Sequence, residues 1–274
     1  MSVTQLHDVV YMIFSESSTI ITRFNATTHQ RLKDIDVTDL KAPRDIVACE
    51  GTSRVYIADL RCVWRVSADG ADIKRWLPTS LSDPFMPKTV SVTSTRLLVT
   101  SRYPGPLIQF DADGSELISL QLSSDVEPRH AAESPTGTFI ISLDNYDVNK
   151  SPVNYERLEQ RQVVEVNTGG KVLRRFSGSH LISLGLTPHV AVDSHGNIFV
   201  ADEDNRRILL LDDHLSLRRV IIDEHQLDYK EPRRLCYRER SKQLLVVLLN
   251  GGVMVFDRFD AQASNDLSAE WVYS

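Results

Sequence analysis

Five basic or titratable side chains each follow a proline in this sequence, and their recurrence is its clearest chemical signal. We call these five residues the basic ring: Arg44, Lys88, Arg129, His189 and Arg233. Positively charged side chains bind carboxylates and phosphates, and arginine does so through two parallel hydrogen bonds. If the fold brings the five side chains together, the sequence predicts a binding site for an anionic ligand or partner.

Acidic neighbours offer a second interpretation of the basic ring. Asp45, Glu127 and Glu231 each lie within two residues of a ring position. Two like charges about 10 Å apart repel by roughly 0.4 kcal/mol in water and by about 1.7 kcal/mol at an effective dielectric constant of 20. A ring of cations is therefore unfavourable unless carboxylates, solvent or a bound anion offset the repulsion. The sequence leaves open which of these neutralises the ring.

Metal chemistry is the competing interpretation, because His130, His180 and His189 lie near the basic ring. Zinc binds His, Cys and carboxylate side chains, whereas calcium needs several converging oxygen atoms. A cationic ring opposes a bound cation, and His189 follows its proline just as Arg44 and Arg129 do. The sequence contains no phosphate-binding loop, serine-nucleophile motif or paired-cysteine motif. It therefore predicts no metal, no cofactor and no catalytic residue.

The elements that carry the basic ring form a repeat. The prolines before the five residues lie at positions 43, 87, 128, 188 and 232, with gaps of 44, 41, 60 and 44 residues. After each proline, a short apolar run leads through a turn to a second run such as VYIAD or IFVAD. Two further runs follow, and in several units Asp-Gly or Gly-Gly separates them, which favours a tight hairpin. Each repeat is thus predicted to form four short strands.

A sixth unit precedes Pro43, because residues 1–37 show the same order of apolar runs and turns. Helical repeats would need apolar residues at a 3.6-residue spacing, whereas these runs are short and rich in β-branched residues. We therefore predict an all-β fold, a single six-bladed β-propeller of four-stranded antiparallel blades over residues 1–274. The predicted blades span 1–40, 41–84, 85–125, 126–185, 186–229 and 230–274. We expect no strand to be exchanged between the first and last blades.

Two units also resemble a known sequence family. PHVAVDSHGNIFVADEDNRRILLLD (188–212) resembles an NHL repeat, and PRDIVACEGTSRVYIADLRCVWRV (43–66) is a second match. NHL propellers commonly occur at the C-terminus of TRIM-type ubiquitin ligases and related scaffolds. The resemblance implies recognition of RNA or protein partners. The chain carries no RING, B-box or coiled-coil sequence, so any ligase activity would either belong to another part of a longer protein or be absent.

Antiparallel strand order predicts which loops share a face with the basic ring. The connections between blades and the corners between second and third strands lie on one side, which we call the anchor face. The first-to-second and third-to-fourth turns lie on the other side, the turn face. Loops on a rigid scaffold commonly carry recognition. The rim residues predicted on the anchor face are Arg61, Arg102, Tyr103, Tyr146, Lys150, Tyr155, Arg206 and Arg207.

Arginines and aromatic rings together can stack on single-stranded bases and contact phosphates. The same corners carry Asp59, Glu203 and Asp204, so a solvated rim of mixed charge is the alternative. One gap between prolines is longer than the others, and we place its extra residues in the segment 144–161. Long loops in compact domains are either functional or mobile, and the sequence does not separate these two interpretations.

Composition narrows the class of partner and the compartment. The net charge is −6, which argues against binding that depends on bulk attraction to nucleic-acid phosphates. No apolar run is long enough for a transmembrane helix, and no signal peptide is visible. Cys49, Cys62 and Cys236 are widely spaced and odd in number, which favours reduced thiols. We therefore expect a cytoplasmic location and no membrane partner.

These observations predict a non-enzymatic binding or scaffold module that is monomeric as an isolated domain and belongs to a larger TRIM-like or scaffold protein. Its locally basic anchor face would bind an acidic protein segment or RNA. The negative net charge favours protein between these two partners. The alternative is a metal-dependent propeller hydrolase or lyase with its site at the channel mouth.

Overall fold

The computed structural model consists almost entirely of β-strands. It describes residues 1–14, 17–78, 86–93, 95–102, 105–123, 126–145, 161–178, 182–185, 189–249, 251–256 and 269–273. The single helical element within these ranges is a short 3-10 turn, Glu50–Thr52. No helix in the described part of the chain has the length and apolar character needed to cross a bilayer.

Twenty-four strands of the described residues form six four-stranded sheets. The first sheet holds β1 (Ser2–Leu6), β2 (Val9–Ile13), β3 (Ile20–Asn25) and β4 (Ile35–Asp36). The second holds β5 (Asp45–Cys49), β6 (Arg54–Ala58), β7 (Cys62–Ser67) and β8 (Ile73–Pro78). The third holds β9 (Pro87–Thr93), β10 (Arg96–Ser101), β11 (Leu107–Phe110) and β12 (Glu116–Leu120).

The other three sheets repeat this plan. The fourth holds β13 (Val126–Glu133), β14 (Phe139–Asn145), β15 (Gln162–Val166) and β16 (Val172–Phe176). The fifth holds β17 (His189–Val192), β18 (Ile198–Asp202), β19 (Arg207–Leu211) and β20 (Leu217–Ile222). The sixth holds β21 (Pro232–Arg238), β22 (Gln243–Leu248), β23 (Val253–Phe256) and β24 (Ala269–Tyr273).

Every sheet is built from consecutive antiparallel strands, and the first strands of neighbouring sheets contact one another around a closed ring. The predicted six-bladed β-propeller is therefore confirmed. No strand among the described residues is exchanged between the first and last sheets, as expected from the repeat. The first strand of each blade lies innermost, so its side chains line a central channel.

Burial follows the predicted apolar runs. The second strands are buried on both faces, as in β18 and β22, because a neighbouring blade covers each side. Six apolar clusters fill the six blade interfaces, and the last of them joins the first blade to the sixth through Val10 and Leu245. The outer fourth strands are more exposed, as in β12 and β16. The core therefore lies between blades and holds the ring closed.

The hairpin at Asp69-Gly70 shows how the turn residues fit this packing. Gly70 has a φ of +80° and donates its N–H to the Ser67 carbonyl at 2.9 Å. A Cβ atom at this position would lie 2.7 Å from Cγ1 of Ile35 in the preceding blade. Glycine is required here for backbone conformation and for close approach to the neighbouring blade.

Candidate functional site

Six inner residues, one from each blade, form a layer of polar side chains near one end of the central channel. In each first strand, this residue pairs with the equivalent position near the end of the second strand. We call them the floor residues: Ser2, Asp45, Thr89, His130, His189 and Arg234. All but Arg234 are buried, and Arg234 is partly buried. Polar side chains at such a depth are costly unless they are paired or have a ligand.

Irregularities in the pairing of first and second strands place the basic ring residues one position before the floor residues. The ladder shifts around Lys88, Arg129 and Arg233, which leaves each of them as an extra residue in a β-bulge. His189 has no such bulge, since it pairs directly with Ala201. His189 is therefore a floor residue equivalent to His130, and its expected alignment with the arginines that follow proline is wrong by one position.

Asp45 is the acidic centre of the floor. Its Oδ1 accepts a hydrogen bond from Ser2 Oγ at 2.7 Å, and an Arg234 nitrogen lies 3.2 Å away from the same oxygen. Its Oδ2 accepts the Val90 N–H at 3.0 Å. Arg234 also donates to the Arg44 carbonyl at 2.9 Å. These bonds join blades one, two, three and six around a single carboxylate.

The two floor histidines are stacked on each other. Their ring centroids are 3.6 Å apart and their planes differ by 27°. Burial lowers the pKa of His130 to about 4, with Arg234 adding to the effect and Asp45 opposing it. Burial, His130 and Arg234 together hold the pKa of His189 well below its usual range. Both imidazoles are therefore neutral at pH 7.

Above the floor, the channel widens into a cavity of about 1040 Å³. Its walls are the inner faces of the first strands, with small or polar side chains such as Thr4, Ser91 and Cys236. It extends to the first-to-second-strand turns, where Glu50 and Glu239 lie. The large cavity therefore extends from the floor residues to the turn face.

Two members of the basic ring have carboxylate partners on the anchor face. Lys88 Nζ lies 2.5 Å from Glu127, and Arg129 lies 2.6 Å from Asp144 through Nε and 3.5 Å from Glu127 through another nitrogen. Burial, followed by the Arg129 charge, lowers the pKa of Lys88 to about 8, although Glu127 opposes this shift. The expected pairing with nearby carboxylates is therefore present at these two positions.

The other two arginines of the ring surround a small cavity. Arg44, Arg233 and the floor residue Arg234 line a space of about 90 Å³ on the anchor face. The described residues provide Asp45 as a salt-bridge partner for Arg234 and none for Arg44 or Arg233. Nε of Arg44 and Nε of Arg234 are buried without a hydrogen-bond partner in the described part of the chain.

Four of the predicted rim residues belong to the described part of the chain, and they lie in or beside the corners between second and third strands. The Arg102 N–H donates to the Met86 carbonyl, and the Leu60 N–H next to Arg61 donates to the Lys41 carbonyl, so these corners adjoin the connections between blades. Arg61 and Arg102 are exposed. Arg206 lies 3.6 Å from Glu231, and Arg207 lies 2.8 Å from Asp202.

The remaining rim predictions fall outside the described residues. They are Tyr103, Tyr146, Lys150 and Tyr155. The same is true of most of the 144–161 insertion and of His180. Their proposed roles stay predictions.

Sequence reasoning missed two central residues of the floor. It identifies Asp45 only as a neighbour of Arg44, and it does not single out Arg234. Both lie two positions after a proline, as does His130. If the repeats were aligned by their second strands instead of by their prolines, Asp45, His130 and Arg234 would occupy the same position as His189.

Comparison with solved structures supports the architecture. Hydrazine synthase from Kuenenia stuttgartiensis superposes with a TM-score of 0.68 and 16% identity over 97% of this chain and 84% of that chain. Virginiamycin B lyase from Staphylococcus aureus, in a catalytically inactive form with quinupristin, has a TM-score of 0.62 and 12% identity over 92% of this chain and 78% of its own. A chain of the mitotic checkpoint complex has a TM-score of 0.62 and 11% identity, covering 98% of this chain and 75% of that chain.

These similarities show the fold alone, because all three identities are low. The neighbours include a lyase and a protein of a multiprotein complex, so the propeller is compatible with catalysis and with binding. No family model and no curated protein matches the sequence. The resemblance to NHL repeats therefore stays a prediction.

Proposed function

We propose that this chain is a binding module that recognises an acidic protein segment through its anchor face. The observation that carries the proposal is the convergence of Arg44, Arg233 and Arg234 on one 90 Å³ cavity. Arginine guanidinium groups bind carboxylates with paired hydrogen bonds, which suits the side chain of Asp or Glu or a terminal carboxylate. In this proposal, the cavity is the anchoring point of the predicted basic ring.

The local charge supports an anionic occupant. Asp45 neutralises Arg234, so the three arginines retain a net charge of about +2 around the cavity. Lys88 and Arg129 contribute less attraction, because Glu127 and Asp144 already neutralise them. The unneutralised positive charge of the anchor face thus lies where the first, second and sixth blades meet.

The rim extends this contact surface. Arg61 and Arg102 are exposed on the same face, whereas Arg206 and Arg207 adjoin acidic partners. Mixed charge of this kind suits an acidic peptide with some basic residues better than a uniform phosphate backbone. The net charge of −6 also disfavours non-specific attraction to RNA. A scaffold role within a longer, TRIM-like protein is consistent with this mode of binding.

A charge-removal experiment tests the proposal. We expect the double variant R44Q/R233Q to bind a fluorescent poly-glutamate peptide about 10- to 100-fold more weakly than the unchanged protein, because two charge-assisted contacts are lost. The matched control R240Q/K242Q removes the same charge from the turn face, where Arg240 contacts Glu50 and Lys242 contacts Glu239. Fluorescence anisotropy measures all three affinities.

If both double variants weakened peptide binding equally, the loss would come from the change in net charge. That result would contradict the assignment of the 90 Å³ cavity as the peptide-binding site. Tighter binding of single-stranded RNA than of the peptide, with a steep salt dependence, would replace the acidic segment with RNA as the ligand.

A hydrolase or lyase is the second candidate function. The observation in its favour is the 1040 Å³ channel with a polar floor, since pockets of this size commonly hold small molecules. Turnover of an ester or lactone panel that is lost in H189A and kept in H214A/H225A, which removes two exposed histidines outside the cavity, would favour the enzyme. Equal turnover in H189A would rule out the channel floor as its site.

A further inference from the structure

We propose that Asp45, His130 and His189 form a binding site for a divalent first-row transition metal ion at the channel floor. The three residues come from blades two, four and five, and each is buried. One potential ligand atom of each lies within 4.8 Å of the other two. This cluster adjoins the arginine cavity, because Asp45 pairs with Arg234, but the proposal does not rest on the proposed function.

The spacing of the three ligand atoms suits a metal ion after a small contraction. Tetrahedral zinc with bonds of about 2.0–2.2 Å places its ligand atoms roughly 3.3–3.6 Å apart. Because the ligand atoms lie within 4.8 Å of one another, side-chain movements on the order of 1 Å would bring them to these separations. The stacked histidine rings face the cavity above the floor, so rotation about their side-chain torsions can provide this movement.

The second observation is a nitrogen atom available for coordination. Nδ1 of His130 is buried and has no hydrogen-bond partner among the described residues. The His130 ring also has a hydrogen bond with the Val190 backbone, and because Nδ1 has no partner, Nε2 makes this bond. Histidine ligands usually donate their second nitrogen to such a partner, which orients the metal-binding lone pair.

The second histidine also has an imidazole nitrogen with a weak protein contact. Nδ1 of His189 accepts a long 3.4 Å hydrogen bond from the Leu235 N–H, which a metal ion can displace.

The donor set selects the class of ion. Two imidazoles and one carboxylate suit Zn²⁺, Co²⁺, Ni²⁺ or Fe²⁺, whereas Mg²⁺ and Ca²⁺ prefer an all-oxygen shell. Three protein ligands would leave at least one coordination position open, and all three residues line the 1040 Å³ channel. Water or an anionic ligand entering from the turn face would occupy this position.

Arg234 limits the affinity of the site and attracts an anion to it. Its guanidinium group lies 3.2 Å from Oδ1 of Asp45, and a positive charge beside a ligand opposes a bound cation. Asp45 and Arg234 cancel each other, so a bound divalent ion leaves the floor with a net charge of about +2. A carboxylate or hydroxide as the additional ligand would reduce this charge.

Metal binding by purified protein tests the inference. After dialysis against a chelator, we expect the protein to bind one equivalent of Zn²⁺ or Co²⁺ in calorimetry, and Co²⁺ to produce visible absorption bands of a nitrogen- and oxygen-ligated ion. H130A and H189A should each weaken this binding at least 10-fold, in line with the cost of disturbing a metal shell. The control variant H214A/H225A removes two exposed histidines and should retain the full signal.

Because H189A removes a stacked ring, folding is checked by circular dichroism, and D45N provides an independent variant that keeps the shape of the carboxylate side chain. Absence of a stoichiometric site in the folded, unchanged protein would overturn the inference. Equal loss in H214A/H225A, or unchanged binding in both H130A and D45N, would also overturn it, because the ion would then lie elsewhere. Failure of the peptide-binding experiment would leave the metal site unaffected.

Discussion

At the scale of single residues, this propeller concentrates buried charge near its axis. Asp45 and Arg234 pair in the floor, and Lys88 and Arg129 pair with carboxylates beside it. Buried ion pairs add little net stability, but removal of one partner leaves an uncompensated charge. Single substitutions here should therefore have large effects that double substitutions partly reverse.

The Asp45–Arg234 pair allows a direct test of this principle. R234M leaves Asp45 with the Ser2 and Val90 donors but without its cation, and we expect unfolding free energy to fall by roughly 3 kcal/mol. D45N/R234M removes both charges and should cost less than the sum of D45N and R234M. Urea denaturation of the four proteins measures the coupling. Strict additivity would show that the pair makes no joint contribution.

Lys88 should give stability a distinct dependence on pH. Its pKa is about 8 in the folded protein, below its ordinary value of 10.5, chiefly because of burial. Below pH 8 Lys88 is protonated in both the folded and the unfolded protein, so the folded protein bears the full free-energy cost of burying its charge. Between about pH 8 and 10.5 the unfolded state binds more protons, and stability should rise with pH by on the order of 1–3 kcal/mol from this residue.

The variant K88M checks this dependence, since it cannot titrate. Its unfolding free energy should lack the alkaline rise seen in the unchanged protein when both are measured between about pH 7.5 and 10 by urea denaturation. The R240Q variant should keep the rise, because Arg240 is exposed on the turn face. A rise of equal size in K88M would assign it to another group.

At the scale of elements, two glycine turns with the same backbone conformation have different surroundings. Gly70 and Gly137 have φ values of +80° and +79°. A Cβ at Gly70 would lie 2.7 Å from the Ile35 side chain, whereas a Cβ at Gly137 would meet nothing within 4 Å. The pair separates the cost of backbone strain from the cost of contact between blades.

We expect G137A to lower the unfolding free energy by about 1 kcal/mol through backbone strain alone. G70A should cost about 1–3 kcal/mol more, because Ile35 in the neighbouring blade must shift. Thermal and urea denaturation of both variants give the comparison. Equal losses of unfolding free energy in G70A and G137A would show that Ile35 can move away from the new methyl group at no energetic cost.

At the scale of the whole molecule, stability depends on closing the ring. Each blade packs on its two neighbours through an apolar cluster, and the cluster between the first and sixth blades joins segments that are distant in sequence. Contacts of this kind require a large loss of chain entropy before they form. The closing interface should therefore be the part of the core that matters most for cooperative unfolding.

Substitution at this interface measures its contribution. L245A creates a cavity between the sixth and first blades and should cost about 2–5 kcal/mol. Amide exchange in β1 and β22 should accelerate more than exchange in β6. L173A, which truncates a half-exposed leucine on an outer strand, should change stability by less than about 1 kcal/mol. Uniform acceleration in all three strands would show that the closing interface has no special role.

The sequence by itself determined the number of blades, their strand order and the faces that carry the loops. Apolar runs such as VYIAD and IFVAD repeat with a near-constant period, and local patterning of this kind directly reflects burial in a sheet. It also indicated the convergence of Arg44 and Arg233 on the anchor face, because equivalent positions of a closed repeat surround one axis.

Only the tertiary structure decided which side chains form the floor. Bulges at Arg129 and Arg233, and their absence at His189, change the register by one residue from blade to blade. A shift of one residue moves a side chain to the opposite face of a strand, and no local pattern specifies it. The meeting of Asp45, His130 and His189 is therefore a consequence of register and ring closure together, which act over distances that sequence periodicity does not encode.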